Sequence, residues 1–482
     1  MLFNSLQFLF FFPAVTLGYF ALPKFRWIWL LAASCYFYMA FVPFYIVWLA
    51  ALIVVDYLAG ILIEGATRRD TRKLFLAVSI VVNLAFLGVF KYANFLVGNL
   101  FAAWSFFGAA TPAPWLDIIL PIGLSFHTFQ SMAYTIEVFR GNQRAERHFG
   151  IYALYVLFYP QLVAGPIERP QHMIHQLKEH HAFRYDRFVD GLKLMAWGMC
   201  LKVVFADRLA GVVDPVFNRP TEYHGLALLA ASVAFTCQIF LDFAGYSYIA
   251  IGAARTMGIE LMTNFNAPFS AKSIAEFWRR WHISLSTWFR DYVYIPLGGN
   301  RLGTLRHYAN LMIVFLVSGL WHGASWNFVL WGGIHGVYLV AALACAPFLP
   351  VSPGGSNPGL RLYRVVKVFA LVCLAFVFFR ATSFQDAVYI IGHIPVGLVD
   401  DIRALAVAPH DMAAPLADGG LGVVLAGLGV IWLDHFILRR YGGRGWLAGE
   451  PWWLRWPVYF TVVYGTFLLA LPSTGQFIYF QF

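Results

Sequence analysis

Two histidines stand where a proton can be moved. His322 lies in Ser318-Gly-Leu-Trp-His-Gly-Ala-Ser325, in the middle of a long apolar run, with small residues on both sides. A titratable ring at membrane depth costs roughly 3 kcal/mol or more unless it is hydrated, paired or functional. The small residues leave room for a neighbouring helix or a substrate to approach. His282 lies in the polar stretch from Glu276 to Tyr292, which reads EFWRRWHISLSTWFRDY. As one helix at about 100° per residue, it puts Trp278, His282 and Ser286 on one face and Glu276, Arg279 and Arg290 on another. Glu276 and Arg280 form a favourable i,i+4 pair. One reading is an interfacial helix with its arginines snorkelling to water. The other is a cavity-lining helix whose arginines bind a phosphorylated donor while His282 faces inward. His322 has its own plain alternative, a hydrogen bond to a neighbouring helix.

Other chemical patterns are weaker. His335 follows His322 by 13 residues; a continuous helix rotates it by about 220°, so it is expected to face elsewhere and be structural. His172, His175, His180 and His181 lack a cysteine or a nearby carboxylate set, so an amphipathic interfacial segment is favoured over zinc. No metal site is expected. The five cysteines all lie in apolar runs without pairing motifs and are expected to be buried small hydrophobes. The Gly-Gly pairs at 298–299 and 332–333 lack the context of a phosphate loop. Leu471-Pro-Ser-Thr-Gly475 resembles a sorting signal, but only seven residues follow it here. It is read as a helix end.

These residues must be positioned by membrane helices. The chain has 482 residues, 60% hydrophobic and 12% charged, about half the charged fraction of a soluble domain. Trp27–Ile63 carries one charge, Asp56, and is too long for one crossing of roughly 20 residues, so a turn is placed near Phe41-Val-Pro43. Further apolar runs, among them Leu6–Leu22, Leu74–Leu100, Ile118–Val138, Gly191–Val213, Leu226–Ala253 and Val365–Phe379, bring the expected total to roughly 11 to 13 helices, several re-entrant or tilted. The fold class is an all-α polytopic membrane protein, since lipid cannot satisfy open backbone. The segments 347–361 and 396–420 are read as loops. One membrane domain is expected over 1–482, with its core at about 90–380 and no soluble module. The net charge of +10 sits in short loops, where it sets orientation rather than binding nucleic acid. Basic residues follow the first, third and fifth spans, which places the N-terminus outside. No basic n-region precedes Leu6, so the first span is read as retained.

The 26-residue segment Glu276–Arg301 resembles the signature of the membrane-bound O-acyltransferase family, and within it the bacterial alginate O-acetyltransferase branch. Phe90-Lys-Tyr-Ala-Asn94, Leu120–Phe126, Asp242-Phe-Ala-Gly-Tyr-Ser247 and Ser318–Gly336 agree with it. The resemblance implies a bundle around a central tunnel, with His322 as the catalytic histidine and His282 lining the same tunnel. It sets Asp242, Tyr246 and Ser247 on a neighbouring core helix. Relatives of that branch usually carry an aspartate where this chain has Tyr248, which bears on any carboxylate role there and on alginate as the substrate.

It also implies acetyl transfer from cytoplasmic acetyl-coenzyme A toward an extracytoplasmic polysaccharide, in the inner membrane of a bacterium. A partner of serine-esterase type finishes the transfer in related systems. On this reading His322 is the base that takes the proton of the attacking hydroxyl, worth roughly 100- to 10,000-fold. His282 orients the donor or stabilises the oxyanion, helped by Asn300 or an indole N–H such as that of Trp321. Arg279, Arg280, Arg290 and Arg301 are set against the coenzyme A phosphates. The site is expected to be wetted from both compartments through a narrow passage. A transporter is the main rival, though no pseudo-symmetric halves are visible; a non-catalytic scaffold of a polysaccharide export complex is the other.

Overall fold

The computed structural model describes residues 1–107, 114–118, 121, 123–162, 165–348, 357–407, 416, 419–442, 447 and 449–470. The Leu471–Gly475 motif and parts of the 347–361 and 396–420 segments lie outside them. The helices in chain order are α1 (Leu6–Ala21), α2 (Arg26–Met39), α3 (Tyr45–Gly65), α4 (Arg69–Leu87), α5 (Ala93–Phe106), α6 (Leu124–Arg140), α7 (Phe149–Leu157), α8 (Tyr159–Leu162), α9 (Pro170–Lys178), α10 (Tyr185–Met199) and α11 (Asp207–Asn218). They continue as α12 (Gly225–Met257), α13 (Ile274–Trp278), α14 (Ile283–Phe289), α15 (Thr304–His322), α16 (Trp326–Cys345), α17 (Pro358–Arg380), α18 (Phe384–His393), α19 (Leu398–Val407), α20 (Gly420–Tyr441) and α21 (Trp452–Leu469). Among the described residues, six helical stretches are long and apolar enough to cross a membrane: 45–65, 69–106, 225–257, 326–348, 358–380 and 420–441. The protein is an all-α, multi-pass membrane protein.

The expected turn at 41–43 separates α2 from α3, because Pro43 cannot continue a helix. Among the described residues, three π-helical turns interrupt the pattern, at Gly88–Tyr92, Cys200–Ala206 and Arg290–Tyr294. The loop expected over 396–420 instead holds α19, whose first turn carries Asp400 and Asp401, favourable at a helix N-terminus. The cysteines also differ from expectation. Cys200, Cys237 and Cys373 are buried, Cys35 is half-buried, and Cys345 is exposed at the end of α16.

The chain forms two compact units, Met1–Met195 with Ile249–Met262, and Ala196–Tyr248 with Thr263–Phe482. In the first, α3, α4 and α6 pack on one another and α2 lies against α7. In the second, α15 and α16 form a tight antiparallel pair beside α17. A Cβ at Gly319 would collide with the carbonyl of Phe328, and one at Gly332 with the carbonyl of Phe315. The small residues around His322 thus serve close helix approach, and this crossing places Trp321 and His322 against α16.

Candidate active site

His322 is the last residue of α15. The helix stops because Gly323 is extended (φ −158°, ψ 149°), and Ser325 precedes α16 as its N-cap. The residue is 5% exposed. Its ring centroid lies 5.0 Å from Trp321, 5.0 Å from Trp331 and 5.5 Å from Phe379. The break at 323–325 removes the continuous helix on which the expected phase of His335 rested. His335 approaches the same indole as His322, at 5.1 Å from Trp331, and its Nδ1 accepts the Nε1–H of Trp278 at 3.3 Å. The Nε1–H of Trp331 is buried and has no hydrogen-bond partner among the described residues.

His282 does not sit on one helix with Trp278 and Ser286. The stretch splits into α13 and α14, and His282 between them is left-handed at φ 44°, ψ 54°, a conformation that costs a non-glycine residue about 1–2 kcal/mol. Two backbone bonds hold the reversal: Asn266 N–H to Arg280 O at 2.9 Å, and Ile283 N–H to Asn264 O at 2.9 Å. The side chain of Asn264 completes it. Its Oδ1 lies 3.1 Å from His282 Nδ1 and accepts from Ser284 Oγ at 3.0 Å, while its Nδ2 donates to Ser247 Oγ at 3.2 Å. His282 is fully buried, with Phe243 at 4.7 Å. The His282 and His322 centroids are 6.5 Å apart. That is too far for a direct hydrogen bond and close enough for one bridging oxygen.

A cavity of about 490 Å³ adjoins this pair. Trp278, Arg279, Ser286, Arg290, Phe315 and Ser318 are among its lining residues. Trp278 and Ser286 both line it, but together with Arg279 and Arg290, so the two separate faces expected of one helix are not kept, and His282 at the kink is not among the lining residues. Of the four arginines, Arg279 and Arg290 reach the cavity. Arg280 is tied to Glu276 at 2.8 Å and to the carbonyl of Asn266 at 3.2 Å. Arg301 and Asn300 are exposed and do not line it. A mostly apolar slot with two guanidinium groups suits an amphiphile carrying phosphate. Ser318, one helical turn before His322, is among its lining residues, and neither histidine lines it. Trp321, Trp331 and Phe379 pack around the His322 ring.

The polar face of α12 divides between two duties. Ser247 holds Asn264. Asp242 pairs with Lys202 at 2.9 Å, both buried, and Lys202 pairs with half-buried Asp207 at 2.7 Å. Tyr246 is fully buried, with the Lys202 ammonium 5.8 Å from its ring. Tyr248 donates to Asp434 Oδ2 at 3.3 Å, and Trp197 Nε1–H donates to Oδ1 at 2.9 Å. A carboxylate from α20 thus faces position 248. Lys202, Asp207, Asn264, Trp331 and Asp434 escaped the sequence reading. Lys202 and Asp207 left a signal as opposite charges inside an apolar run, and the Asn264 loop left none. In the other unit, His172 pairs with Glu168 at 2.7 Å, and His175 and His181 bond the carbonyls of Gln171 and Gln176. No group of three or more His, Cys, Asp or Glu able to hold a metal occurs among the described residues.

A buried histidine pair thus lies near an arginine-flanked, mostly apolar cavity in a polytopic helical protein. Comparison with known proteins gives the class. Residues 127–379 match the model of the membrane-bound O-acyltransferase family. The chain is 41% identical over 390 residues to the probable alginate O-acetylase AlgI of Azotobacter vinelandii, covering 80% of this chain and 76% of that protein. It is 35% identical over 428 residues to the peptidoglycan O-acetyltransferase of Helicobacter pylori, covering 81% and 79%. The teichoic acid D-alanyltransferase of Bacillus subtilis is 27% identical over 306 residues, covering 58% and 74%. The chain belongs to the membrane-bound O-acyltransferase family and is an O-acyltransferase.

Proposed function

We propose that this protein takes acetyl from cytoplasmic acetyl-coenzyme A and passes it toward an extracytoplasmic polysaccharide. It does so from the inner membrane of a bacterium, with its N-terminus outside and an acetyl-accepting protein of serine-esterase type as partner. The observation that carries this reading is the 6.5 Å spacing of His282 and His322 next to a cavity lined by Arg279 and Arg290. Relatives named for alginate and peptidoglycan O-acetylation support acetyl as the group and a glycan as the acceptor.

His322 takes the proton of the acceptor hydroxyl as its oxygen attacks the thioester carbonyl. The carbon–sulfur bond then breaks, and the coenzyme A thiolate leaves with that proton. Trp331 Nε1–H is the better oxyanion donor than exposed Asn300, because a buried donor left without an acceptor costs about 1–3 kcal/mol until the reaction supplies one. Arg279 and Arg290 hold phosphate at the cavity, whose lining includes Ser318, one helical turn before His322. Lys202, Asp207 and Asp242 form a fixed ion triad behind the site; we assign it to holding α12 in place.

The test reconstitutes purified protein in vesicles with radiolabelled acetyl-coenzyme A on the cytoplasmic-equivalent side and the partner on the other. Label appearing on the partner supports the reading. Absence of any thioester turnover by a well-folded preparation overturns it. A transporter would instead move intact donor or polymer without cleaving the thioester.

A further inference from the structure

We propose that Asn264 is a positioning residue that fixes the tautomer of His282, holding Nδ1 protonated and leaving Nε2 as a hydrogen-bond acceptor in the site. This rests on the reading of His282 and His322 as the reactive pair and assigns a role within it. The geometry carries the argument. Asn264 is 1% exposed and His282 is fully buried, so water cannot substitute for either partner. The amide faces three groups. Its Nδ2 donates to Ser247 Oγ at 3.2 Å. Its Oδ1 faces Ser284 Oγ at 3.0 Å and His282 Nδ1 at 3.1 Å. An amide oxygen only accepts, so the ring nitrogen facing it must carry the proton. A neutral imidazole has one N–H, and Nε2 then holds the lone pair.

The backbone enforces the same geometry. Asn264 O accepts from Ile283 N–H at 2.9 Å, so one residue grips both the main chain beside His282 and its ring. That double grip is what keeps His282 in the left-handed region (φ 44°), where a bulky residue persists only when its surroundings over-determine it. Ser247 on α12 and Ser284 on α14 anchor the amide from two helices. A consequence follows for the chemistry. A neutral ring with Nδ1–H has no second proton to offer an oxyanion, so His282 serves as an acceptor for a hydroxyl or an amide N–H of the substrates. Oxyanion stabilisation then falls to an N–H donor such as that of Trp331.

Nitrogen NMR on the full-length protein, labelled at the histidine ring nitrogens and held in nanodiscs, reads the tautomer directly. The His282 signals are assigned by their disappearance in His282→Gln. The expected wild-type pattern is a protonated Nδ1 and an unprotonated Nε2. Asn264→Asp retains it, since a carboxylate is also a pure acceptor, and Asn264→Leu shifts the population toward Nε2–H. For acetyl-coenzyme A turnover, Asn264→Leu lowers kcat by at least about 10-fold with KM little changed, short of the roughly 100- to 10,000-fold worth of a positioned acid–base group, and Asn264→Asp restores part of it. A wild-type Nε2–H form, or an Asn264→Leu spectrum unchanged from wild type, overturns the proposal. Should Asn264→Leu not fold, the wild-type spectrum alone decides. The tautomer is read without substrate, so its failure leaves the acetyl-transfer reading standing, and failure of acetyl turnover leaves the tautomer assignment standing.

Discussion

Two buried polar clusters in this protein are built on opposite principles. In the first unit, Asp56 of α3 is fully buried. Its carboxylate accepts from Ser79 Oγ at 2.6 Å and from Asn83 Nδ2 at 3.0 and 2.9 Å, and Ser79 also bonds Thr135 Oγ1 at 3.0 Å. Every member sits within a regular helix, α3, α4 or α6, and the donors from α4 are one turn apart. In the second unit, His282 occupies a left-handed kink between two short helices, its amide partner comes from a loop, and a π-helical turn begins at Arg290 on the neighbouring cavity wall. Both clusters hide polarity in apolar surroundings. Only the second combines backbone strain, irregular helices and an adjoining cavity. Burial of a polar side chain alone therefore does not separate the two clusters; the broken local rules around His282 do.

Substitutions should separate the two clusters by the quantity they change. The largest effect short of removing His322 itself is expected at the helix crossing. Gly332→Ala forces α15 and α16 apart, and since a shift near 1 Å can cost about 100-fold, acetyl transfer should fall by that order while the protein still purifies folded. Next, Arg279→Ala or Arg290→Ala should raise KM for acetyl-coenzyme A by about 10-fold, given about 1.5–3 kcal/mol for a hydrogen bond to a charged group less solvent screening, with Arg301→Ala unchanged. Asp56→Ala should show the converse. It removes the carboxylate that Ser79 and Asn83 donate to, leaving them only Thr135 Oγ1 and Ser79 O, and lowers stability by about 1–3 kcal/mol, read from thermal unfolding in detergent, with turnover per folded molecule kept. A turnover loss in Asp56→Ala larger than its stability loss explains would break the comparison.

The smallest effect concerns the pair Glu168 and His172, outside the spanning segments. The hydrogen bond that His172 Nδ1–H donates to Glu168 raises the His172 pKa above its ordinary 6.5, and burial raises Glu168 as well. The pair thus holds a shared proton over a wider range than either group alone. A raised histidine stabilises the fold fully below about 6.5 and loses that contribution as pH rises through the raised value. His172 is partly exposed, so the change is small. His172→Gln should flatten the dependence of the melting temperature on pH from 6.5 upward.

Much of this arrangement was legible in the residues. The turn before α3, the Glu276–Arg280 pair, the close approach at Gly319 and the two histidine motifs all follow from residue type and spacing. What escaped depends on contacts distant in sequence. Nothing local marks His282 as left-handed, because the bonds that hold it come from Asn264 and Asn266. A helical period assumed through 323–325 hid the meeting of His322 and His335 at Trp331. Arg301 and Asn300 belong to the same motif as Arg290, yet they follow the turn at Gly298 and Gly299 and face away from the cavity. Lys202 was masked because its charge is matched by Asp207 five residues on and by Asp242 on another helix.

The central claim is that His322 takes the proton during acyl transfer. Its most direct measurement is the single-turnover rate of acetyl delivery from radiolabelled acetyl-coenzyme A to the partner, wild type against His322→Ala, on preparations matched for melting temperature. A drop of about 100- to 10,000-fold is the predicted result. Equal rates in the two proteins would contradict it and leave His322 as a packing residue between α15 and α16.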